Sequence, residues 1–120
     1  MVTVDEIRAV ALALPRTTEG FVRGQVKFYI GRIVYLAISR DESTLGFAFP
    51  KEWRAALVES EPEKFSLPSQ SDMRYQWVHV DLAAIDADEM RALVEDAWAF
   101  VVPKRVADEY ASSRGYRPRP

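Results

Sequence analysis

The chain has 120 residues, no cysteine, one histidine and a formal net charge of −2. This length fits one domain, and the lack of cysteine excludes disulfides, thiolate catalysis and cysteine-based zinc sites. No apolar run approaches the ~20 residues of a membrane helix and no signal peptide is visible, so we expect a cytoplasmic protein with no membrane partner.

Charge is unevenly distributed along the chain. Residues 16–54 carry a net charge of +3, whereas residues 55–113 carry −7. A basic face on an acidic body can bind phosphate even when the whole protein is acidic. The alternative is that these charges are ordinary solvated side chains.

The first predicted element is a helix that begins after Thr3. Thr3 and Glu6 have the spacing of a capping box. The apolar residues that follow recur at helical spacing: Ile7, Val10, Ala11 and Leu14. Pro15 ends the helix, because proline disfavours helical geometry in the preceding residue. The polar segment 16–24 is predicted to be a connection.

Three strands are predicted next, and together they form an antiparallel meander. Residues 25–30 alternate apolar and polar side chains, and residues 33–38 are rich in β-branched and aromatic types. Gly31 and Arg32 between them fit a type II′ hairpin turn, because its first position favours glycine. Residues 45–49 form the third strand.

A second helix is predicted to begin at Pro50, which suits a first helical turn. Its predicted buried side comprises Trp53, Ala56 and Leu57. Residues 60–72 contain two prolines and no clear period, so they are predicted to form a loop. Two of its apolar residues are predicted to pack on the core: Phe65 and Leu67.

The remaining elements are a strand and two helices. Residues 74–82 are predicted to form the fourth strand, with Trp77 and Tyr75 on one face. Asp86 and Glu89 form a second capping pair, ahead of the strongest helical pattern in the chain. Pro103 ends that helix. Residues 104–111 form a short last helix.

These elements define the predicted fold class and domain. The order α-βββ-α-β-α indicates an α+β protein with an antiparallel sheet and helices packed on one side of it. Residues 1–111 are predicted to form a single domain. Residues 112–120, with a glycine and two prolines, are predicted to be a flexible tail.

Four stretches of the chain resemble the MmcQ/YjbR family of small bacterial proteins. They are LPRTTEG at 14–20, VKFYIGRIVYLAI at 26–38, WVHVDL at 77–82 and AWAFVVPKRV at 97–106. The order and spacing of the stretches carry the resemblance, which spans about residues 3 to 110.

The resemblance implies a CyaY-like, double-wing fold and a DNA-binding role. The family often has lysine in the turn that Arg32 occupies here, so the positive charge is kept. A cation directly after the third strand and another before the strand tryptophan are also common, and Lys51 and Arg74 lie near those positions. The resemblance carries no catalytic chemistry.

Residues that could support catalysis or metal binding are few. His79 has no nucleophile beside it, and a structural or surface role is favoured. Asp86, Asp88 and Glu89 are explained by helix capping and the helix dipole. Frataxin-type iron binding needs an acidic ridge, and the first helix offers only Asp5 and Glu6 with Arg8 beside them. We therefore expect no enzyme activity, no cofactor and no metal.

The aromatic residues are candidate platforms for stacking bases. All three tryptophans fall on predicted buried faces, and core packing is favoured for them: Trp53, Trp77 and Trp98. Tyr29 and Tyr35 are better candidates for exposed stacking.

Two functions are compatible with these patterns. The first is a non-catalytic DNA-binding protein, with Arg32 at a hairpin tip that enters a groove and other cations that contact phosphates. The predicted DNA-contacting residues are Arg23, Lys27, Arg32, Lys51, Arg54 and Arg74. The alternative is a module that binds a protein or small ligand in a groove between the sheet and the helices. Convergence of the six cations on one surface distinguishes the two. The sequence does not fix the oligomeric state.

Overall fold

A computed structural model describes residues 1–114 of the chain and the side chains of residues 1–112. The described helices are α1 (Val4–Leu12), α2 (Lys51–Ser60), α3 (Ala87–Val101) and α4 (Lys104–Arg114). The described strands are β1 (Thr17–Val22), β2 (Gln25–Ile30), β3 (Ile33–Ile38), β4 (Thr44–Ala48), β5 (Phe65–Ser66) and β6 (Trp77–Asp81).

The strands form one antiparallel sheet with the order β1-β2-β3-β4-β6-β5. The predicted α+β class is confirmed. The four predicted strands are present: β2 and β3 have the expected bounds, and β4 and β6 differ from theirs by up to three residues.

Strand β1 lies where the sequence analysis expected a connection, and that expectation is wrong. The segment is an edge strand, largely exposed, so its side chains need not alternate between apolar and polar types. It pairs with β2 along its whole length, from Thr17 opposite Ile30 to Val22 opposite Gln25. Arg8 of α1 holds it from one side, because its guanidinium donates to both carboxylate oxygens of Glu19 at 2.9–3.0 Å.

A β-bulge in β3 places one extra residue in the core. The register passes from Phe28 opposite Leu36 to Tyr29 opposite Val34, so Tyr35 has no direct partner on β2. Tyr35 and Leu36 are both fully buried. The Tyr35 hydroxyl lies 2.7 Å from the Thr17 hydroxyl. Burial raises the pKa of Tyr35 to about 12.

The helices cover one face of the sheet and enclose the core there. Trp98 of α3 is fully buried and donates from its indole nitrogen to the carbonyl oxygen of Pro15 at 2.8 Å. Tyr110 of α4 packs edge-on against Trp98, with ring centroids 5.0 Å apart. The helix starts agree with the sequence: Thr3 and Glu6 form the capping box of α1, and Asp86 accepts from the Glu89 backbone at the start of α3.

The segment 60–72 departs from the predicted loop in two places. It contains β5 and a short 3-10 turn at Gln70–Asp72. Phe65 is buried as predicted, but Leu67 is 44% exposed and does not pack on the core. At the C-terminal end, α4 continues to Arg114, three residues past the expected end, and residues 115–120 of the predicted tail lie outside the described part.

None of the helices formed by residues 1–114 is long and apolar enough to cross a membrane.

Candidate nucleic-acid interface and the open face of the sheet

Two hairpin turns, one at each end of β2, each contain one arginine and one glycine. In the β1–β2 turn, Arg23 and Gly24 both have positive φ, at 53° and 82°. That pair of signs is typical of a type I′ turn. In the β2–β3 turn, Gly31 has a φ of 60° and Arg32 does not have positive φ, which fits the predicted type II′ turn. Both arginines are exposed.

The β1–β2 turn is held from outside by a residue that the sequence analysis did not select. Arg40 of the β3–β4 turn donates from Nε to the carbonyl oxygen of Arg23 at 2.7 Å. Its side chain also lies 3.3 Å from where a Cβ on Gly24 would stand. No local sequence pattern indicates this contact, since Arg40 lies 17 positions after Arg23.

Lys27 lies between these turns on the face of the sheet opposite the helices, called here the open face. Its cross-strand partner on β3 is Ala37, which pairs in turn with Gly46 on β4, and Gly46 pairs with His79 on β6. Directly paired residues share a face, so these four side-chain positions form one row across the sheet. Lys27 forms no ion pair or hydrogen bond with the described residues.

Arg54 was predicted to contact phosphate, and the structure contradicts this. Its side chain is only 6% exposed. The guanidinium donates to the carbonyl oxygens of Tyr75 at 2.8 Å and Trp77 at 3.3 Å, and to that of Met73. A buried guanidinium needs acceptors for its donors, and these carbonyls supply them. Arg54 therefore fastens α2 to the segment that leads into β6.

Lys51 and Arg74 are exposed, yet both are engaged within the same junction. The Lys51 ammonium donates to the carbonyl oxygen of Arg74 at 3.0 Å, and its backbone N–H donates to the Gln76 side chain at 3.0 Å. The Arg74 guanidinium lies 4.8 Å from the Tyr75 ring centroid and donates to the Tyr75 hydroxyl. These two cations are held by local contacts, in contrast to those along β2.

The six predicted cations do not converge on one surface, which counts against DNA binding through all six. Arg23 and Arg32 lie at opposite ends of β2, about 20 Å apart for six extended residues. Arg54 is buried, while Lys51 and Arg74 lie at the α2–β6 junction. Of the six, three have side chains without a partner among the described residues, and they lie on β2 or in its flanking turns: exposed Arg23 and Arg32 and half-buried Lys27.

A cavity of about 720 Å³ lies on the open face. Its floor consists of small residues, because Ala37, Gly46 and Ala48 occupy the central open-face positions of β3 and β4. The Trp77 indole lies across Gly46, and a Cβ built there would come within 2.6 Å of Trp77 Nε1. The small residues at alternate positions of β4 were a sequence signal for this floor, and the sequence analysis missed it.

The aromatic residues behave differently from their predicted roles in three cases. Trp98 is fully buried, as expected, but Trp53 is 50% exposed and Trp77 is half-buried on the open face. On α2 the inward position belongs to Arg54, and Ala56 is exposed as well. Tyr35 is buried because the bulge turns it inward, so it offers no stacking surface.

Tyr29 is half-buried on the open face. A Cβ on Gly20 of β1 would lie 2.8 Å from the Tyr29 ring. The ring therefore packs over a position where a larger residue would force a shift. Of the two tyrosines predicted to stack on bases, Tyr35 is buried and Tyr29 remains a candidate.

His79 lines the cavity at its β6 end. Partial burial lowers its pKa below the usual value, and the nearby Asp72 carboxylate opposes this in part. The imidazole is therefore neutral at pH 7. It forms no hydrogen bond with the described residues, so both ring nitrogens remain available to a ligand.

The acidic residues considered for metal binding have structural roles. Asp86 caps α3, and Glu89 accepts from the Lys64 ammonium at 3.1 Å. On α1, Glu6 completes the capping box and Asp5 pairs with Arg8 at 2.6 Å. Across residues 1–114 there is no group of three or more histidine, aspartate or glutamate side chains that could hold a metal ion.

A second groove of about 660 Å³ lies on the helical side, where the sequence alternative placed its ligand site. It runs between α2, α3 and α4, and Trp53 and Phe100 are exposed at its rim. Three acidic residues line it against one lysine: Glu52, Asp96, Asp108 and Lys104. Its charge therefore disfavours nucleic acid.

Comparisons with known proteins agree with the resemblance found in the sequence. The model of the YjbR family matches residues 12–100. The crystal structure of Deinococcus radiodurans protein DR2400, with the family-model domain DUF419, superposes with a TM-score of 0.72 at 21% identity. That match covers 98% of this chain and 91% of the other. No curated protein matches the sequence.

Proposed function

The chain belongs to the YjbR family, and we propose on that premise that it is a non-catalytic protein that binds duplex DNA through the cations along β2. The observation that carries the proposal is the contrast among the six predicted cations. The side chains of Arg23, Lys27 and Arg32 have no partner in the described part of the chain, and they lie on β2 and the turns at its two ends.

The spacing of these cations suits a duplex. Arg23 lies in the turn before β2 and Lys27 is the third residue of the strand, so their backbones are at most about 13 Å apart at the rise of a β-strand. The major groove of B-DNA is about 12 Å wide and admits a two-stranded ribbon. A β1–β2 ribbon placed there brings the cations to the phosphates on the two walls.

The proposed contacts are mainly to phosphate. Arginine offers a planar set of donors that matches a phosphate group, and lysine offers a compact charge. Arg32 is the cation proposed to reach a base edge, because it lies at an exposed turn where a Cβ on Gly31 would have no neighbour within 4 Å. Weak sequence preference follows from this arrangement, since phosphate contacts carry no sequence information.

The experiment is fluorescence anisotropy of a labelled duplex, titrated with protein at several salt concentrations. The test variant replaces the three β2 cations by alanine: Arg23→Ala, Lys27→Ala and Arg32→Ala. The control removes the same charges, two arginines and a lysine, from exposed positions of α3 and α4: Arg91→Ala, Lys104→Ala and Arg105→Ala.

We expect the test variant to lose at least about tenfold in affinity near 50 mM salt, and the slope of log K against log salt to become shallower by about 2.7. The control variant should keep the slope of the unmodified protein. Absence of binding at low salt overturns the proposal. Equal losses in both variants also overturn it, because they would reflect net charge rather than a β2 surface.

A further inference from the structure

The open-face cavity has a polar rim that the fold itself does not use. Lys27 lies at its β2 end, Gln25 beside it, and His79 at its β6 end. Trp77 lines the cavity too, and within residues 1–112 its indole nitrogen donates to no acceptor. Each of these groups can donate a hydrogen bond, so the rim carries a set of unused donors.

The two ends of the cavity differ in charge. Lys27 and Asp72 are the charged residues of its lining, and the Asp72 carboxylate lies near neutral His79 at the β6 end. Two positions of the cross-strand row separate His79 from Lys27, so about 14 Å lies between their backbones at the usual strand spacing. The Lys27 end is therefore positive and has no acidic neighbour in the cavity lining.

Between these ends the lining is mostly apolar. Ala37 and Gly46 provide no bulky side chain, and the Trp77 ring packs over Gly46. Val34 and Phe100 close the side nearest the β2–β3 turn. Such a surface favours a planar apolar group, which an indole ring can stack against.

We propose that the open face binds a small aromatic carboxylate, with its anionic head at Lys27 and its planar body between Trp77 and the Ala37 floor. The observation that carries this is one unpaired ammonium at the edge of an apolar cavity whose tryptophan N–H is also unused. The site shares Lys27 with the proposed DNA surface but does not rest on that function.

The probe is 2-naphthoate, titrated into ¹⁵N-labelled protein and followed by the three tryptophan indole N–H signals. The Trp77 signal is assigned from the spectrum of Trp77→Phe. We expect a saturable shift of this signal with a Kd near or below about 1 mM, the range for a ligand of this size. The Trp98 signal should stay fixed, since that indole is buried and already donates to Pro15.

Three comparisons test the two halves of the site. Ala37→Leu fills the floor and should weaken binding by about tenfold or more, whereas Ala92→Leu on the exposed side of α3 should leave it unchanged. Lys27→Met should also weaken binding, and Lys27→Arg should restore it. The uncharged analogue 2-naphthylmethanol should bind at least about tenfold more weakly than the carboxylate.

The proposal is overturned if the Trp77 signal shows no saturable shift, or if the Trp53 signal moves instead, which would place the anion in the helical-side groove. It is also overturned if Ala37→Leu binds as well as the unmodified protein. Ala37→Leu keeps all three β2 cations, so its duplex DNA affinity should be unchanged. If the unmodified protein binds duplex DNA but not naphthoate, this site alone is rejected. If it binds naphthoate but not DNA, only the proposed function is rejected.

Discussion

The β1–β2–β3 hairpins and the α2–β6 junction both contain arginine and lysine. The basic side chains lack partners in the hairpins and donate hydrogen bonds to backbone carbonyls at the junction. Along β2, Arg23, Lys27 and Arg32 have no partner in the described structure. At the junction, Arg54 is buried among backbone carbonyls and Lys51 donates to one as well. Positive charge in a sequence therefore indicates a binding surface only when the fold leaves that charge unsatisfied.

The two regions differ in how their backbone hydrogen-bonding groups find partners. In the hairpins the backbone groups of β2 pair with strands on both sides, so the side chains have no structural demand on them. At the junction, the segment from Met73 to Trp77 contains carbonyl groups that do not all pair with a neighbouring strand. Buried carbonyls need donors, and an arginine from α2 provides several at once.

The largest expected effect comes from removing the buried guanidinium. Arg54→Ala leaves several carbonyls without a donor, and we expect it to lower the free energy of unfolding by about 3 kcal/mol or more. Arg32→Ala removes an exposed arginine and should change it by less than about 0.5 kcal/mol. Urea unfolding of both variants measures this contrast as a shift in midpoint at constant m-value. Equal stabilities would remove the distinction between the two regions.

An intermediate effect is expected from the Tyr35 hydroxyl, which pairs with the Thr17 hydroxyl inside the hairpin region. The folded pKa of Tyr35 is raised to about 12, so the folded protein keeps its proton at a pH where the unfolded chain, with an ordinary pKa of 10.0, loses it. The stability that this provides is fully present below pH 10.0 and is lost as the pH rises through about 12.

Urea unfolding of the protein and of Tyr35→Phe at about pH 9 and pH 11 measures this contribution. Between these values we expect the unmodified protein to lose about 1.4 kcal/mol more than the variant, which has no phenol to ionise at that position. Parallel losses would mean that the hydroxyl ionises as freely in the folded state as in the unfolded chain.

The smallest expected effect compares two exposed arginines, one in each region. Arg74 lies against the Tyr75 ring, and Arg74→Ala should cost less than about 1 kcal/mol of stability. In DNA binding, Arg74→Ala should leave the slope of log K against log salt unchanged, whereas Arg32→Ala should make that slope shallower by about 0.9. Anisotropy titrations of the two variants compare them directly, and a larger slope change in Arg74→Ala would move the surface to the junction.

Much of the fold could be predicted because its signals are local. The capping box joins Thr3 to Glu6 and the β2–β3 turn needs glycine at its first position, so both can be identified from a few neighbouring residues. Strand β1 escaped prediction because it is an exposed edge strand with mixed polar residues. Its pairing with β2 is what makes it a strand.

The candidate site was predicted only in part. Arg32 could be placed at a hairpin tip from the turn pattern alone, and Lys27 on the polar side of a strand from its alternation. Trp53 was assigned to the core by its apolar character, yet Arg54 takes the inward position on α2. An amphipathic pattern assumes that the buried partner is apolar, and here the partners are carbonyls.

By itself the sequence determined the order of the main helices and strands, the class of the fold and the family, because periodicity, caps and turns depend on near neighbours. Only the tertiary structure decided which cations are free and where a cavity forms. The acceptors of Arg54 lie 19, 21 and 23 residues away along the chain, and the row from Lys27 to His79 crosses four strands. Contacts of that range exist only after the chain has folded, because no local pattern specifies which distant backbone group or side chain will meet a given residue.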